Sequence, residues 1–163
     1  MKEITKYRKY YIPFLIFIFF FIDQLTKEIV IRNLKVGYSI PENGLFRFTH
    51  VRNFGSAFSL INDANLFLMV VGIFAIIFIF YFLIFYTKES NLLQIAISLQ
   101  LSGALGNIVD RIRLGSVTDF IDVGAWPVFN IADSCISVGM FLLVLHILIS
   151  WRKKKIENEK DIW

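Results

Sequence analysis

Leu66-Phe67-Leu68-Met69-Val70-Val71-Gly72-Ile73-Phe74-Ala75-Ile76-Ile77-Phe78-Ile79-Phe80-Tyr81-Phe82-Leu83-Ile84-Phe85-Tyr86 runs for more than five helical turns without a charge. A bilayer core of about 30 Å takes roughly 20 such residues in a helix. Working outward, residues 92–109 are interrupted only by Ser, Gln, Gly and Asn, residues 128–151 carry Asp133 as their one acid, and residues 10–30 stay apolar until Asp23, Lys27 and Glu28. The pattern predicts an all-α membrane protein with four transmembrane helices, at about 10–30, 66–86, 92–110 and 128–151. At 56% hydrophobic, with 18 Phe among 163 residues, the composition lies outside the soluble globular range. A single integral membrane domain over 1–163 is expected, with no internal repeat or low-complexity linker.

The first segment has a basic start followed by a long apolar run, as a signal peptide does. Asp23-Gln24-Leu25-Thr26-Lys27 follows it instead of a small-residue cleavage site, so a retained helix is expected. Lys2, Lys6, Arg8, Lys9, Lys88, Arg152, Lys153, Lys154, Lys155 and Lys160 fall on one side of this topology; Arg32, Lys35, Arg47, Arg52, Arg111 and Arg113 fall on the other. The excess places both termini in the cytoplasm. The net charge of +4 is mostly this topology signal, plus attraction to anionic lipid heads, and no nucleic-acid partner is expected. The single cysteine, Cys135, excludes an internal disulfide and a cysteine-rich metal site.

Residues 31–64 form the long outer loop. Pro41-Glu42-Asn43-Gly44 is a turn signal, and the loose alternation over residues 45–53 predicts a short strand or β-hairpin cradle on the membrane surface. In that alternation Phe46, Phe48, His50 and Arg52 share one side; His50 reads as a surface residue. Residues 87–91 are expected as a short inner turn, 110–127 as a second outer connection, and 156–163 as a polar tail.

The ionisable residues then collect at the outer end of the bundle. Charge in or beside hydrocarbon is costly and marks function. Asp119, in Val117-Thr118-Asp119-Phe120, and Asp133, in Phe129-Asn130-Ile131-Ala132-Asp133, flank the same outer surface. Two neighbouring carboxylates in low dielectric share one proton more readily than both ionise, which suits hydrolysis of an amide by an acid and a base. The plainer reading makes Asp119 and Asp122 solvated loop carboxylates, and Asp133 a charge favoured at a helix N-terminus.

Asn107, Asp110 and Arg111 are placed to orient these acids. Gly103 and Gly106, with a Ser98, Ser102, Gly106 stripe at i, i+4, predict close helix packing. Asp23 and Lys27, at i, i+4, read as a mutually neutralised pair, with a direct role for Lys27 as the alternative. Asn53 and Gly55 shape a turn, or Asn53 hydrogen-bonds a substrate backbone. Asp110, Asp119, Asp122 and Asp133 could alternatively hold a hard cation, though no HExxH and no His cluster is present, and no metal or cofactor is expected.

Five blocks together resemble the lipoprotein signal peptidase family, also called signal peptidase II. They are Asp23–Lys27, residues 52–58 (Arg52-Asn53-Phe54-Gly55-Ser56-Ala57-Phe58), residues 103–111, residues 117–120 and residues 129–133, in the family's order and covering nearly the whole chain. The resemblance implies an aspartic peptidase of the bacterial plasma membrane with an extracytoplasmic active site. Such an enzyme cuts the signal peptide from prolipoproteins just before a diacylglyceryl-modified cysteine and is blocked by the cyclic peptide globomycin. It places the catalytic pair on Asp119 and Asp133, and substrate-binding or supporting positions on Asp23, Lys27, Asn53, Gly55, Asn107, Asp110, Arg111 and Asn130. The family's cradle corresponds to residues 37–60. Membrane lipids are the expected surroundings and a monomer the expected state. A small cation-coupled transporter and a non-catalytic scaffold subunit are the competing readings. The transporter needs ionisable groups near the bilayer midplane, whereas these acids sit toward one face.

Overall fold

The apolar runs fold into four helices, α1 (Lys2–Asn33), α2 (Ala64–Tyr86), α3 (Asn91–Leu114) and α4 (Ile131–Lys160). The computed structural model describes residues 2–55, 64–87 and 90–160. Ser56, Ala57 and Phe58, the far end of the expected 37–60 cradle, and Lys88 of the basic inner set lie outside the described residues. Three helices, over Asn65–Tyr86, Asn91–Leu114 and Ile131–Asn158, are long and apolar enough to cross a membrane. The run in α1 is broken by Asp23, Lys27 and Glu28, of which Asp23 and Lys27 are buried against the other helices.

α3 is the central helix and packs on α1, α2 and α4. Burial covers 67% of its apolar window, against 6% for α2, whose Phe and Ile side chains are left to face lipid. Leu83, Leu93, Ile97 and Leu101 form the buried cluster between α2 and α3. Against α4 the contact is made by backbone: a Cβ at Gly103 would collide with the Ala132 carbonyl oxygen, and one at Gly139 would stand 2.6 Å from that of Ala96. Hydrocarbon drives no helix association in lipid, so close backbone approach supplies van der Waals contact instead.

Three short strands complete the fold: β1 (Ser39–Ile40), β2 (Arg47–Asn53) and β3 (Val117–Asp122), an antiparallel sheet in the order β1-β2-β3. A strand over 45–53 is expected from its alternation; β3 replaces what reads as plain connection. Its pairing to β2 shifts register between Phe48 and Val51, where three residues of β2 advance against two of β3, Ile121 to Asp119. Such a bulge re-aims a side chain. His50, grouped by alternation with exposed Phe48 and Arg52, is instead buried, and its Nδ1 lies 2.7 Å from the Leu34 carbonyl oxygen at the end of α1.

Several boundaries also differ from expectation. α3 continues to Leu114 and stops at Gly115, whose φ of 72° ends the helix in a left-handed turn. α4 begins at Ile131 instead of 128, because Phe129 still pairs with Ile121 across the sheet. It then runs to Lys160 through most of the expected polar tail.

The glycine contacts give a graded expectation. Gly103→Ala meets backbone and should destabilise the protein by about 1–3 kcal/mol, read as a lower Tm in detergent. Gly72→Ala meets only the end of the flexible Ile108 side chain and should lower Tm less.

Candidate active site

The site grows from one buried cation. Lys27, 1% exposed, directs its Nζ to Asp23 Oδ2 at 2.9 Å, Asn107 Oδ1 at 3.0 Å and Asp110 Oδ2 at 3.3 Å. The i, i+4 pair read from α1 is therefore a three-acceptor knot that reaches α3. Each acid then holds another element. Asp23 Oδ1 accepts the Ala132 N–H at 2.8 Å, one of the orphan donors in the first turn of α4. Asp110 Oδ2 accepts the Thr118 N–H at 2.9 Å and so pins β3 to α3. Gln24 donates to Asp23, Asp110 and the Gly106 carbonyl, each at 3.2 Å. Gln24 has no role in the sequence reading; its only signal there is its place beside Asp23 in the matched block. Gly106 is where this knot needs space, since a Cβ there would collide with the Asp23 carboxylate.

From this base an amide relay connects the two acids. Asn130, fully buried, donates to Asp119 Oδ1 at 2.7 Å and to Asn107 Oδ1 at 3.2 Å. Asn107 donates to Asp133 Oδ1 at 2.8 Å. The Asn130 Oδ1 accepts the Asp133 N–H at 2.8 Å, so Asn130 also caps α4. On the other side, Asn53 at the end of β2 donates to Asp119 Oδ2 at 2.9 Å. Its own Oδ1 is held by the Gly55 N–H at 2.9 Å, in a turn where Gly55 takes φ of 86°. Arg111 stands half-buried, donates to the Asn107 carbonyl at 3.3 Å, and lies within electrostatic reach of Asp133, Asp119 and Asp110.

Asp119, Asp133 and the eight supporting positions that the resemblance implies thus meet in one network, Gly55 through the Asn53 turn. Asp119 is 1% exposed and Asp133 half-buried, so the network opens on the Asp133 side. Burial above all, and then repulsion from Asp133, lifts the Asp119 carboxyl to about 6, against the Asn53 and Asn130 amides that favour its charged form. A carboxyl poised there, beside a second one, can exchange a proton with water near neutral pH.

Asp122 stands apart. Its carboxylate takes the Thr49 hydroxyl at 2.7 Å, Arg47 Nη2 at 2.7 Å and the Gly124 N–H at 2.9 Å, which hold it below the ordinary carboxylate range. It clamps β2 to β3. With Asp110 spent on Lys27 and Thr118 as well, the carboxylates weighed as a cation site do not converge: among the described residues no group of three His, Cys, Asp or Glu is placed to hold a metal.

The knot predicts its own energetics. Lys27→Met leaves Asp23 and Asp110 buried without a countercharge and should cost about 3–5 kcal/mol, seen as a lower Tm in detergent. Adding Asp23→Asn should recover part of that loss, because an amide can still accept the Ala132 N–H.

Comparison with known proteins gives the same answer from several directions. Residues 15–149 match the family described as Signal peptidase (SPase) II. The chain is 44% identical over 134 residues to the lipoprotein signal peptidase of Dehalococcoides mccartyi, covering 78% of this chain and 82% of that protein. It is 38% identical over 138 residues to the one from Halothermothrix orenii, covering 83% and 91%. A solved structure described as a bacterial membrane enzyme determined by the in meso method superposes with a TM-score of 0.80 at 33% identity, over 84% of this chain and 92% of that one. With its helices, small sheet and buried polar knot accounted for, this chain is a membrane protein belonging to the signal peptidase II family of proteases.

Proposed function

We propose that the protein is an aspartic endopeptidase that removes the signal peptide from diacylglyceryl-modified prolipoproteins, cutting before the lipidated cysteine. Asp119 and Asp133 are its catalytic pair. The observation that carries this reading is the relay Asp119–Asn130–Asn107–Asp133, in which two amides link carboxyls from different elements. The relatives' shared name supports the substrate class.

In this mechanism the pair carries one proton between its members. The ionised acid takes a proton from a water held against both, and the resulting hydroxide adds to the scissile carbonyl carbon. The protonated acid gives its proton to the carbonyl oxygen. When the tetrahedral adduct collapses, the C–N bond breaks, the proton taken from water passes to the leaving amine of the cysteine, and one hydroxyl of the adduct returns its proton to the second acid. The products are the signal-peptide carboxylate and the free amino terminus of the lipidated cysteine. Asn53 and the Gly55 turn are placed to meet the extended peptide. Asp23, Lys27, Asn107, Asp110 and Asn130 hold the pair in position, and Arg111 supplies a fixed positive charge beside it.

On this reading α1 is the fourth span and the whole chain is one domain. Both termini are cytoplasmic, and the sheet lies on the extracytoplasmic face of a bacterial plasma membrane, as the distribution of Lys and Arg favours. Between α1, α2 and α3 an apolar groove of about 760 Å³ ends at Phe20 and Val109, one turn from Gln24 and next to Asp110 in the chain. It suits a substrate acyl chain. The enzyme acts as a monomer without a metal, and globomycin blocks it as a cyclic peptide occupying the cleft.

Purified protein given a diacylated prolipoprotein should release the signal peptide, scored by mass. Asp119→Asn and Asp133→Asn should each lower the rate by about 10²–10⁴-fold while still inserting and folding. Wild-type rates undiminished by excess chelator fit this chemistry; full loss restored by one added ion overturns it.

The pH dependence is a separate expectation. The alkaline limb of the rate profile should fall near pH 6, the Asp119 value, because above it both acids are ionised and neither can protonate the carbonyl oxygen. Stability falls across the same window. Because the folded carboxyl titrates above its ordinary 3.8, its stabilising contribution is complete below that value and lost as pH rises through about 6. The loss is on the order of 2–3 kcal/mol, and melting curves of Asp119→Asn should be flatter across this window than those of wild type.

A further inference from the structure

At the opposite end of the bundle a second polar cluster remains that the peptidase chemistry does not use. His146, Ser150 and Lys153 of α4 follow one another at i, i+4 and i+7, which puts them on one face of the helix. With Ser90, at the start of α3, they line the polar side of a hollow of about 520 Å³; Tyr86, Leu93 and Ile149 line its apolar side. The basic run 152–155 divides here. Lys153 faces this hollow, while Arg152 and Lys155 line a different one, where Lys155 Nζ sits 6.0 Å from the centre of the Trp151 ring.

The hydrogen bonds set the polarity of the hollow. Ser90 Oγ accepts the Leu93 N–H at 3.2 Å and lies in hydrogen-bond contact with His146 Nδ1, 3.1 Å away. In the tautomer with its proton on Nε2, His146 is a donor whose neighbour Ser150 Oγ is 3.5 Å off and only weakly engaged. An ammonium, an imidazole and a hydroxyl therefore meet here, and among the described residues that line the hollow none is a carboxylate. Their complement is an anion with several acceptor oxygens. The apolar wall, and the position where the apolar run of α4 gives way to Arg152–Lys155, require that the anion carry hydrocarbon.

We propose that this hollow binds the phosphodiester headgroup of an anionic glycerophospholipid, with Lys153 as the charge contact, His146 and Ser150 as hydrogen-bond donors, and the first acyl carbons against Leu93 and Ile149. The site is independent of the peptidase assignment, since it uses none of the residues around Asp119 and Asp133. It makes this end of the bundle a lipid-selective anchor and not merely a positively charged one.

The test is native mass spectrometry of the full chain released from detergent, titrated with phosphatidylglycerol or phosphatidylcholine. A one-to-one phosphatidylglycerol adduct should be retained about fivefold better than phosphatidylcholine, the worth of one lysine at a lipid headgroup. Lys153→Ala should abolish that preference, Lys153→Arg should keep it, and Lys155→Ala, in the other hollow, should leave it within about twofold. Equal retention of the two lipids would overturn the proposal. So would equal losses from Lys153→Ala and Lys155→Ala, which would mean diffuse charge attraction. Displacement of phosphatidylglycerol by millimolar inorganic phosphate would overturn it too, in favour of a free-phosphate site.

Discussion

The ammonium of Lys27, sunk among Asp23, Asn107 and Asp110, is the contact on which the site is built. Burying an ion pair gains little net stability over hydrocarbon, because desolvation consumes most of the Coulomb energy. Its worth here is positional. Asp23 goes on to hold the first turn of α4 through Ala132, and Asp110 goes on to hold β3 through Thr118. One cation thereby ties together α1, α3, α4 and the sheet. The two elements that carry Asp119 and Asp133 are anchored, one step removed, to the same nitrogen.

The relay built over this knot runs against stability. Asp119 is almost wholly buried beside a second acid, and only amide donors from Asn53 and Asn130 offset the cost of its charge. A well-packed apolar pair in these places would be more stable. The strain that lifts Asp119 toward neutrality is the same property that makes it able to pass a proton, and the surrounding network of satisfied donors and acceptors is what tolerates it.

Much of the fold is legible from hydropathy, because lipid imposes a length and a composition on any helix that crosses it. The uncharged run 66–86 and the interrupted run 92–109 lie within α2 and α3. What hydropathy cannot reveal is pairing across long separations. β3 has only six residues, two of them acids, and becomes a strand through β2, some seventy residues earlier in the chain. The bulge that buries His50 is likewise invisible to a period-two reading. Of the site, Asp119 and Asp133 stand out in the sequence as charges beside hydrocarbon. Asn130 does not: its double function as helix cap and bridge between the acids arises only when α3, β3 and α4 converge, and the sequence reading reaches it by resemblance alone.

A bundle of this kind has a particular difficulty with register. Apolar side chains facing lipid or one another give no strong energetic preference against a small slide of one helix along the next, since lipid tails solvate them equally well. The chain answers with polar stitches at both ends of α3. At one end stands the Lys27 knot. At the other, Tyr11 donates to Gln94 at 2.9 Å, Gln94 donates to the Thr87 carbonyl at 2.9 Å, and Ser90 meets His146 at 3.1 Å. A hydrogen bond lost to a slide is not replaced in hydrocarbon, so each stitch fixes an axial position that packing alone leaves soft. The proposed active-site geometry depends on this. Asp119 and Asp133 come from different elements, and a displacement of about 1 Å between reacting groups is enough to lose much of the benefit of holding them together. The stitches far from the acids therefore serve the chemistry as well as the fold.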